Sequence, residues 1–178
     1  MNKLVCHVVA GYPDTEACLE LMKGMDKAGV KAIEVQVPFS DPIADGETIM
    51  RANDVALEQG MTTKGSFALI HEARRQGVTC DIYVMSYMQK VQHAGLEAFC
   101  DEVQACGAKG LILPDLPYDS PEYKHLAVAA GNLGRAHVLS RRAEGGAGRF
   151  GVVLRAGDRQ HRPQYLERSV FHPHPQAR

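Results

Sequence analysis

The chain has 178 residues, of which 45% are hydrophobic and 23% are charged, and its formal net charge is −1. These values are typical of one globular domain, and no apolar run approaches the about 18 residues that a membrane span needs. The N-terminal stretch becomes polar too early for a secretory signal. The five cysteines form no C-x-x-C pair, so we expect free thiols in a reducing cytoplasm rather than disulfides or a zinc site.

Apolar β-branched runs alternate with helical patterns through the first 134 residues. Strands are predicted at residues 4–9, 32–37, 82–86 and 111–114 and from about residue 136. Helices are predicted from Asp14 to Gly29, over residues 47–59, 66–76 and 96–107, and from Ser120 to Gly131. The strands are far enough apart for crossover helices, so we expect an α/β fold with a parallel sheet, either open or closed into a barrel.

The second predicted strand, AIEVQV, favours the barrel. Ile33, Val35 and Val37 share one face, and Glu34 and Gln36 share the other. Helices cover both faces of an open doubly wound sheet, where Glu34 would be a costly buried charge. In a parallel barrel the inner face opens onto the active site, where an inward glutamate is a sensible catalytic acid. A salt-bridged or edge-strand glutamate is the alternative.

The other candidate carboxylates lie in loops and have structural alternatives of their own. Asp41 and Asp45 belong to SDP and ADG, which are turn sequences, and Glu47 suits the first turn of a helix. Asp115 lies between prolines after the fourth strand, in a rigid turn or a catalytic loop. His7, within the first strand, is more often a hydrogen-bonded core histidine than a ligand.

One stretch resembles a known family. IEVQVPFSDPIADG is similar to the signature of tryptophan synthase alpha chains, a glutamate on the second barrel strand followed by PFSDP-x-ADG. VAGYPD, MSYMQ and LILPDLP resemble the ends of that family's first, third and fourth strands. The resemblance covers about residues 4–134 and implies a (β/α)8 TIM barrel. It also implies a lyase of tryptophan biosynthesis, which cleaves indole-3-glycerol phosphate to indole and glyceraldehyde 3-phosphate by a retro-aldol reaction.

The resemblance assigns roles to particular residues. Glu34 is the general acid–base catalyst, and Asp45 lies near the indole N–H, where it stabilises developing positive charge. The resemblance assigns Tyr87 and Ile112 to substrate binding. It assigns Asp41 and Asp115 to a partner-facing loop. No cofactor or metal is implied in this chain. Pyridoxal phosphate is expected in a beta chain, the partner in an α2β2 complex, and neither nucleic acid nor membrane is expected as a partner.

Three positions depart from the family pattern. The usual glycine two residues after the glutamate is Gln36, the usual proline after ADG is Glu47, and the usual asparagine after the tyrosine is Gln89. None of these changes removes either of the two candidate catalytic carboxylates.

The last part of the chain has a different composition. Residues 135–178 contain nine arginines, no lysine and three acids. A full barrel of this kind takes about 250 residues. We therefore expect residues 1–140 to form the first four or five βα units of a truncated barrel, followed by a poorly ordered Arg/Gly/Pro-rich tail over residues 141–178. The G-x-G-x-x-G at Gly146 follows no convincing strand and is not interpreted as a dinucleotide site.

Two hypotheses address this tail, and three address the whole chain. Out-of-frame translation of a GC-rich gene explains the composition better than a basic nucleic-acid-binding arm does, and the nucleotide sequence near codon 135 tests it. For the whole chain, the first alternative to an active lyase is an inactive truncated fragment that at most binds the beta chain. The second is another phosphate-handling barrel, such as a phosphoribosyl-anthranilate enzyme, and the PFSDP-x-ADG stretch argues against it.

Overall fold

The computed structural model describes residues 4–116 and 121 and the backbone of residues 117, 137–141, 149–151 and 166–167. The strands in this part of the chain are β1 (Val5–Val9), β2 (Ala32–Gln36), β3 (Asp81–Met85), β4 (Gly110–Pro117), β5 (His137–Arg141), β6 (Arg149–Gly151) and β7 (Leu166–Glu167). The helices are α1 (Thr15–Lys27), α2 (Glu47–Glu58), α3 (Thr63–Arg75), α4 (Met88–Ala94) and α5 (Leu96–Ala105).

The strands form one sheet in sequential order from β1 to β7. Strands β1 to β5 are all parallel to their neighbours, while β5–β6 and β6–β7 are antiparallel. The predicted parallel α/β organisation is confirmed, because helices fill each connection from β1 to β4. The helix predicted from Ser120 falls almost entirely outside the described residues, as does most of the predicted tail. β5 runs to Arg141, one residue past the predicted boundary at 140, and the two-part division itself stays a prediction.

Local capping chemistry explains where two helices begin. The backbone N–H of Ala17 donates to Asp14 Oδ1 at 2.8 Å, which caps α1 as predicted. α3 begins three residues earlier than predicted, because Thr62 Oγ1 accepts the N–H of Gly65 at 3.0 Å. After α1 the chain reverses at Gly29, whose φ of 76° favours glycine.

Helix α4 was not predicted from the sequence. It has seven residues, too few for a clear apolar period, and its N-cap residue Tyr87 makes no side-chain capping bond. The cap comes instead from β4, where the Asp115 carboxylate accepts the N–H of Met88 at 2.9 and 3.1 Å. The partners are 27 positions apart in the sequence, so local sequence patterns do not reveal this helix start.

The two faces of the sheet are buried by different groups. Ile33, Val35 and Val84 pack with apolar side chains of α1, α3 and α5 in the main core, which also contains an edge-to-face pair of Phe67 and Phe99. We call the opposite side the inner face. A smaller apolar cluster lies on it: Ala32, Tyr83, Met85, Tyr87 and Ile112, with Val5 and Phe39 packed against them.

Candidate active site

Strand β2 presents two polar side chains to the inner face. Ile33 and Val35 belong to the helix-side core, whereas Glu34 and Gln36 are buried on the other side, with 5% and 0% of their surface exposed. The predicted alternation of this strand is therefore confirmed. Residues two apart on a strand have Cα atoms about 7 Å apart, so both side chains can face one bound molecule.

Glu34 lies in a row of titratable side chains that crosses three strands. It is in register with His7 of β1 and with Tyr83 of β3. Burial, together with the nearby charge of Asp81, raises the pKa of Tyr83 to about 12. The Tyr83 hydroxyl therefore stays protonated near neutral pH and can donate a hydrogen bond next to the Glu34 carboxylate.

The loop between β2 and α2 brings Asp45 back to the sheet. Asp45 Oδ2 accepts a hydrogen bond of 2.7 Å from Gln36 Nε2. The two candidate catalytic carboxylates are therefore associated with the same side of β2, Glu34 directly and Asp45 through the amide of Gln36. The fold thus associates Glu34 and Asp45 with one side of the strand, although they are eleven positions apart in the sequence.

Tyr87, which lies between β3 and α4, supports this loop. Its hydroxyl accepts the N–H of Ala44 at 3.1 Å, one residue before Asp45, and its ring lies 5.2 Å from that of Phe39. The side chain is 1% exposed. Burial raises the pKa of Tyr87 well above its usual range, opposed by the Ala44 N–H and reinforced by the carboxylate of Asp45. The predicted substrate role of Tyr87 stays a prediction, since these contacts are with the loop.

The other carboxylates of this region do not join Glu34 and Asp45 in one cluster. Asp41 is exposed on the loop and accepts a hydrogen bond of 2.9 Å from Ser40 Oγ. Glu47 is exposed in the first turn of α2, as the sequence predicted. Asp115 is half-buried and caps α4, and the pKa of its carboxyl is raised by burial despite the N–H of Met88. The predicted partner-facing role of Asp41 and Asp115 stays a prediction.

Ile112 occupies the inner face of β4 beside Met85 of β3, its partner in register. It is 6% exposed and belongs to the small apolar cluster. Together with Tyr83 and Tyr87 it forms an apolar wall next to the polar groups of β2. A surface of this kind suits a flat apolar ring that carries one polar atom.

Sequence reasoning missed three residues that connect the site. Gln36 was placed on the same face as Glu34 and noted as a departure from the family pattern but given no role, His7 was interpreted as a core histidine, and Asn53 of α2 was not considered. His7 Nε2 lies 2.8 Å from Gln36 Oε1, and Asn53 Oδ1 lies 3.3 Å from Gln36 Nε2. The alternation of β2 already placed Gln36 beside Glu34, and this signal pointed to the site.

A search of the described residues finds no group of three or more His, Cys, Asp or Glu side chains that could hold a metal ion. Among the same residues, no helix has the length and apolar character needed to cross a membrane.

Comparisons with known proteins identify the family of this chain. The family model for the tryptophan synthase alpha chain matches residues 1–144. The chain belongs to the tryptophan synthase alpha chain family. The family's fold is a (β/α)8 barrel, and the described residues contain five parallel strands of it, with helices in each connection from β1 to β4.

Individual members of the alpha chain family show how far the similarity extends. The chain is 40% identical to the tryptophan synthase alpha chain of Petrotoga mobilis over 119 residues, which is 67% of this chain and 46% of that one. It is 43% identical to the alpha chain of Flavobacterium psychrophilum over 110 residues, 62% of this chain and 43% of that one. The chain spans about half the length of the curated alpha chains that it matches.

A crystal structure of tryptophan synthase from M. tuberculosis superposes with a TM-score of 0.70 at 33% sequence identity, covering 78% of this chain and 54% of that chain. The shared fold therefore includes the sheet that carries Glu34, Gln36 and Ile112.

Proposed function

We propose that this chain performs the tryptophan synthase alpha reaction, the retro-aldol cleavage of indole-3-glycerol phosphate to indole and glyceraldehyde 3-phosphate. The observation that carries the proposal is the association of Glu34 and Asp45 with one side of β2, where Gln36 joins the loop carboxylate to the strand. The apolar wall that includes Tyr83, Met85 and Ile112 supports an aromatic substrate.

The proposed chemistry needs one group that moves protons and one that stays charged. Glu34 is the general acid–base: ring C3 is protonated, and a proton is then removed from the glycerol hydroxyl next to the bond that breaks. That carbon–carbon bond cleaves, the aldehyde forms, and the electron pair returns to the ring to give indole. Asp45 is the fixed carboxylate, which accepts the ring N–H and stabilises the positive charge that appears on the nitrogen after C3 is protonated.

The partner in this proposal is a tryptophan synthase beta chain, in which we place any pyridoxal phosphate. Asp41 and the 82% exposed side chain of Ile43 lie on the loop that carries Asp45, and an exposed large apolar residue there supports contact with another protein. We further propose a cytoplasmic location, which is supported by five free cysteines.

The test is indole release from indole-3-glycerol phosphate by the full chain, with and without a beta chain. Glu34→Gln keeps the shape of the side chain but cannot exchange protons, so we expect kcat to fall by about 10²- to 10⁴-fold. Glu47→Gln is the matched control, because this exposed carboxylate of α2 lies in the same sequence stretch but in the first helical turn. Its activity should stay within a few-fold of the unaltered chain.

Two outcomes would contradict the proposal. Activity of Glu34→Gln equal to that of Glu47→Gln would exclude Glu34 as the acid–base catalyst. Beta-chain binding by the unaltered chain without indole release would instead favour the role of a non-catalytic binding fragment.

A further inference from the structure

Gln36 is a large polar side chain at a position where the alpha chain family usually has glycine. It is fully buried on the inner face of β2, two residues from Glu34. A buried amide without partners is costly, so its hydrogen bonds decide whether it can be accommodated. Every polar atom of this amide has a partner at hydrogen-bond distance, contributed by β1, by the β2–α2 loop and by α2.

The donors and acceptors of this network can be assigned from two backbone groups, the N–H of Phe39 and the carbonyl of Ile49. The N–H of Phe39 can only donate, so the Asn53 atom 3.0 Å from it is the oxygen Oδ1. Asn53 Nδ2 then donates to the carbonyl of Ile49 at 2.8 Å. This backbone N–H and carbonyl together set the orientation of the buried Asn53 amide.

The orientation of Asn53 determines the orientation of Gln36. Because Asn53 Oδ1 is an acceptor, the Gln36 atom 3.3 Å away is Nε2, which donates. The second proton of Nε2 is directed to Asp45 Oδ2 at 2.7 Å, the shorter of the two bonds. Gln36 Oε1 is then the acceptor that faces His7, so the proton of that bond is on His7 Nε2.

We propose that Gln36 is a positioning residue: its amide, oriented by His7 and Asn53, holds the Asp45 carboxylate in one orientation at the inner face. This inference rests on the proposed function, in which Asp45 accepts the indole N–H. Gln36 bonds to Oδ2 and so restrains rotation of the carboxylate, which in this proposal presents its other oxygen, Oδ1, to the ring nitrogen. A carboxylate on a turn-forming loop is thus tied to a β-strand, and such preorganisation contributes when charge develops in the transition state.

The test compares two substitutions that both remove the amide, one of which keeps the side-chain volume while the other removes it. Gln36→Met keeps an unbranched chain of similar length, and Gln36→Gly introduces the residue usual in the family. We expect both to lower kcat for indole release by about ten- to a hundredfold, the range of one hydrogen bond to a charged group. KM should change by less than about threefold, because the charge on the ring nitrogen exists only after protonation.

Val35→Ala is the matched control for lost packing. Val35 is the next residue on β2, fully buried on the helix side, and it belongs to the main core. This variant should unfold at a lower temperature with kcat unchanged. A kcat in either Gln36 variant equal to that of the unaltered chain would overturn the proposal. A loss in Gln36→Gly alone would also overturn it, because filled volume rather than the amide would then explain the effect.

A second readout needs no turnover and separates this inference from the proposed function. In long-range ¹H–¹⁵N spectra at a pH where the ring is neutral, His7 of the unaltered chain should be the Nε2–H tautomer, and Gln36→Met should give a mixture. Asp45→Ala should shift the side-chain amide protons of Gln36. An Nδ1–H tautomer in the unaltered chain, or unshifted amide protons, would overturn the network even if indole is released. Absence of indole release with these spectra as expected would contradict only the proposed function.

Discussion

At the scale of single residues, four carboxylates close in sequence do not share one environment. Glu34 is buried on the strand, Asp45 is half-buried and bonded to Gln36, and both Asp41 and Glu47 are exposed. Like charges brought together oppose ionisation, but here only Glu34 and Asp45 approach the inner face. The sequence suggested this separation, because SDP and ADG are turn sequences and Glu47 begins a helix.

Asp115 provides a pH-dependent test at this scale. Burial holds the pKa of its carboxyl above the ordinary value of 3.8, although Met88 donates to it. When the folded-state pKa is above the unfolded value, the stability it contributes is fully present below the unfolded pKa and is lost as pH rises through the folded pKa. Asp115→Asn keeps an oxygen that accepts the Met88 N–H but does not titrate.

We therefore expect the thermal midpoint of Asp115→Asn to rise relative to that of the unaltered chain as pH rises from about 3.5. The difference between the two midpoints should become constant above the folded pKa. Circular dichroism melts across this range measure the difference. Asp115→Ala is the control, because it leaves the Met88 N–H without its acceptor and should be destabilised at every pH. An advantage of the unaltered chain that grows with pH would show that the folded state favours the ionised form.

At the scale of elements, side chains join pieces of structure that local sequence does not connect. Asp26, in the last turn of α1, accepts the N–H groups of Thr79 and Cys80 at 3.1 and 2.6 Å and also the Thr79 hydroxyl at 3.3 Å. All three bonds end on Oδ1. Burial opposes the charge of Asp26, but these bonds outweigh it and lower the pKa of the carboxyl.

Asp26→Ala should lower the free energy of unfolding at pH 7, because two backbone N–H groups before β3 lose their acceptor. We expect a decrease of only about 1–2 kcal/mol, since the site is partly exposed to solvent. Urea unfolding measures this change. Asp26→Asn is the control, since it retains an Oδ1 acceptor without the charge, and it should lose less. The contribution of Asp26 is present above its unfolded pKa and is lost as pH falls through the lowered folded pKa. Equal stability of the alanine and asparagine variants would contradict the assigned role of Oδ1.

At the scale of the whole molecule, the sheet separates stability from the proposed chemistry. Adjacent residues of β4 test this division: Leu113 is fully buried in the helix-side core, and Ile112 lies in the inner-face cluster. Leu113→Ala should lower the free energy of unfolding by about 2–5 kcal/mol, with KM unchanged in the folded protein. Ile112→Ala should raise KM for indole-3-glycerol phosphate by about tenfold, the effect of a lost apolar contact with substrate.

Denaturant unfolding gives the free energy of unfolding of each variant, and steady-state indole release gives the KM of each. The Leu113 variant serves as the control for the general effect of shortening a buried side chain on β4. An increase in KM of the same size in both variants would contradict the division between the two faces.

Much of the fold follows from the sequence because its causes are local. The strands β1 to β4 and helices α1, α2, α3 and α5 lie within a few residues of their predicted positions. Capping by Asp14, the alternation of β2 and the PFSDP-x-ADG stretch each depend on residues close in the chain. From these the sequence determined the parallel α/β class, the family resemblance and the inward face of Glu34.

The tertiary structure alone decided the contacts between distant positions. It showed that Asp115 caps α4, that Tyr87 holds the loop before Asp45, and that Gln36 joins His7, Asn53 and Asp45. These hydrogen bonds depend on strand register and on the path of a loop, which are set by packing of the whole sheet rather than by local preference. The sequence therefore identified the candidate carboxylates, and the fold decided which side chains contact Asp45 and its loop.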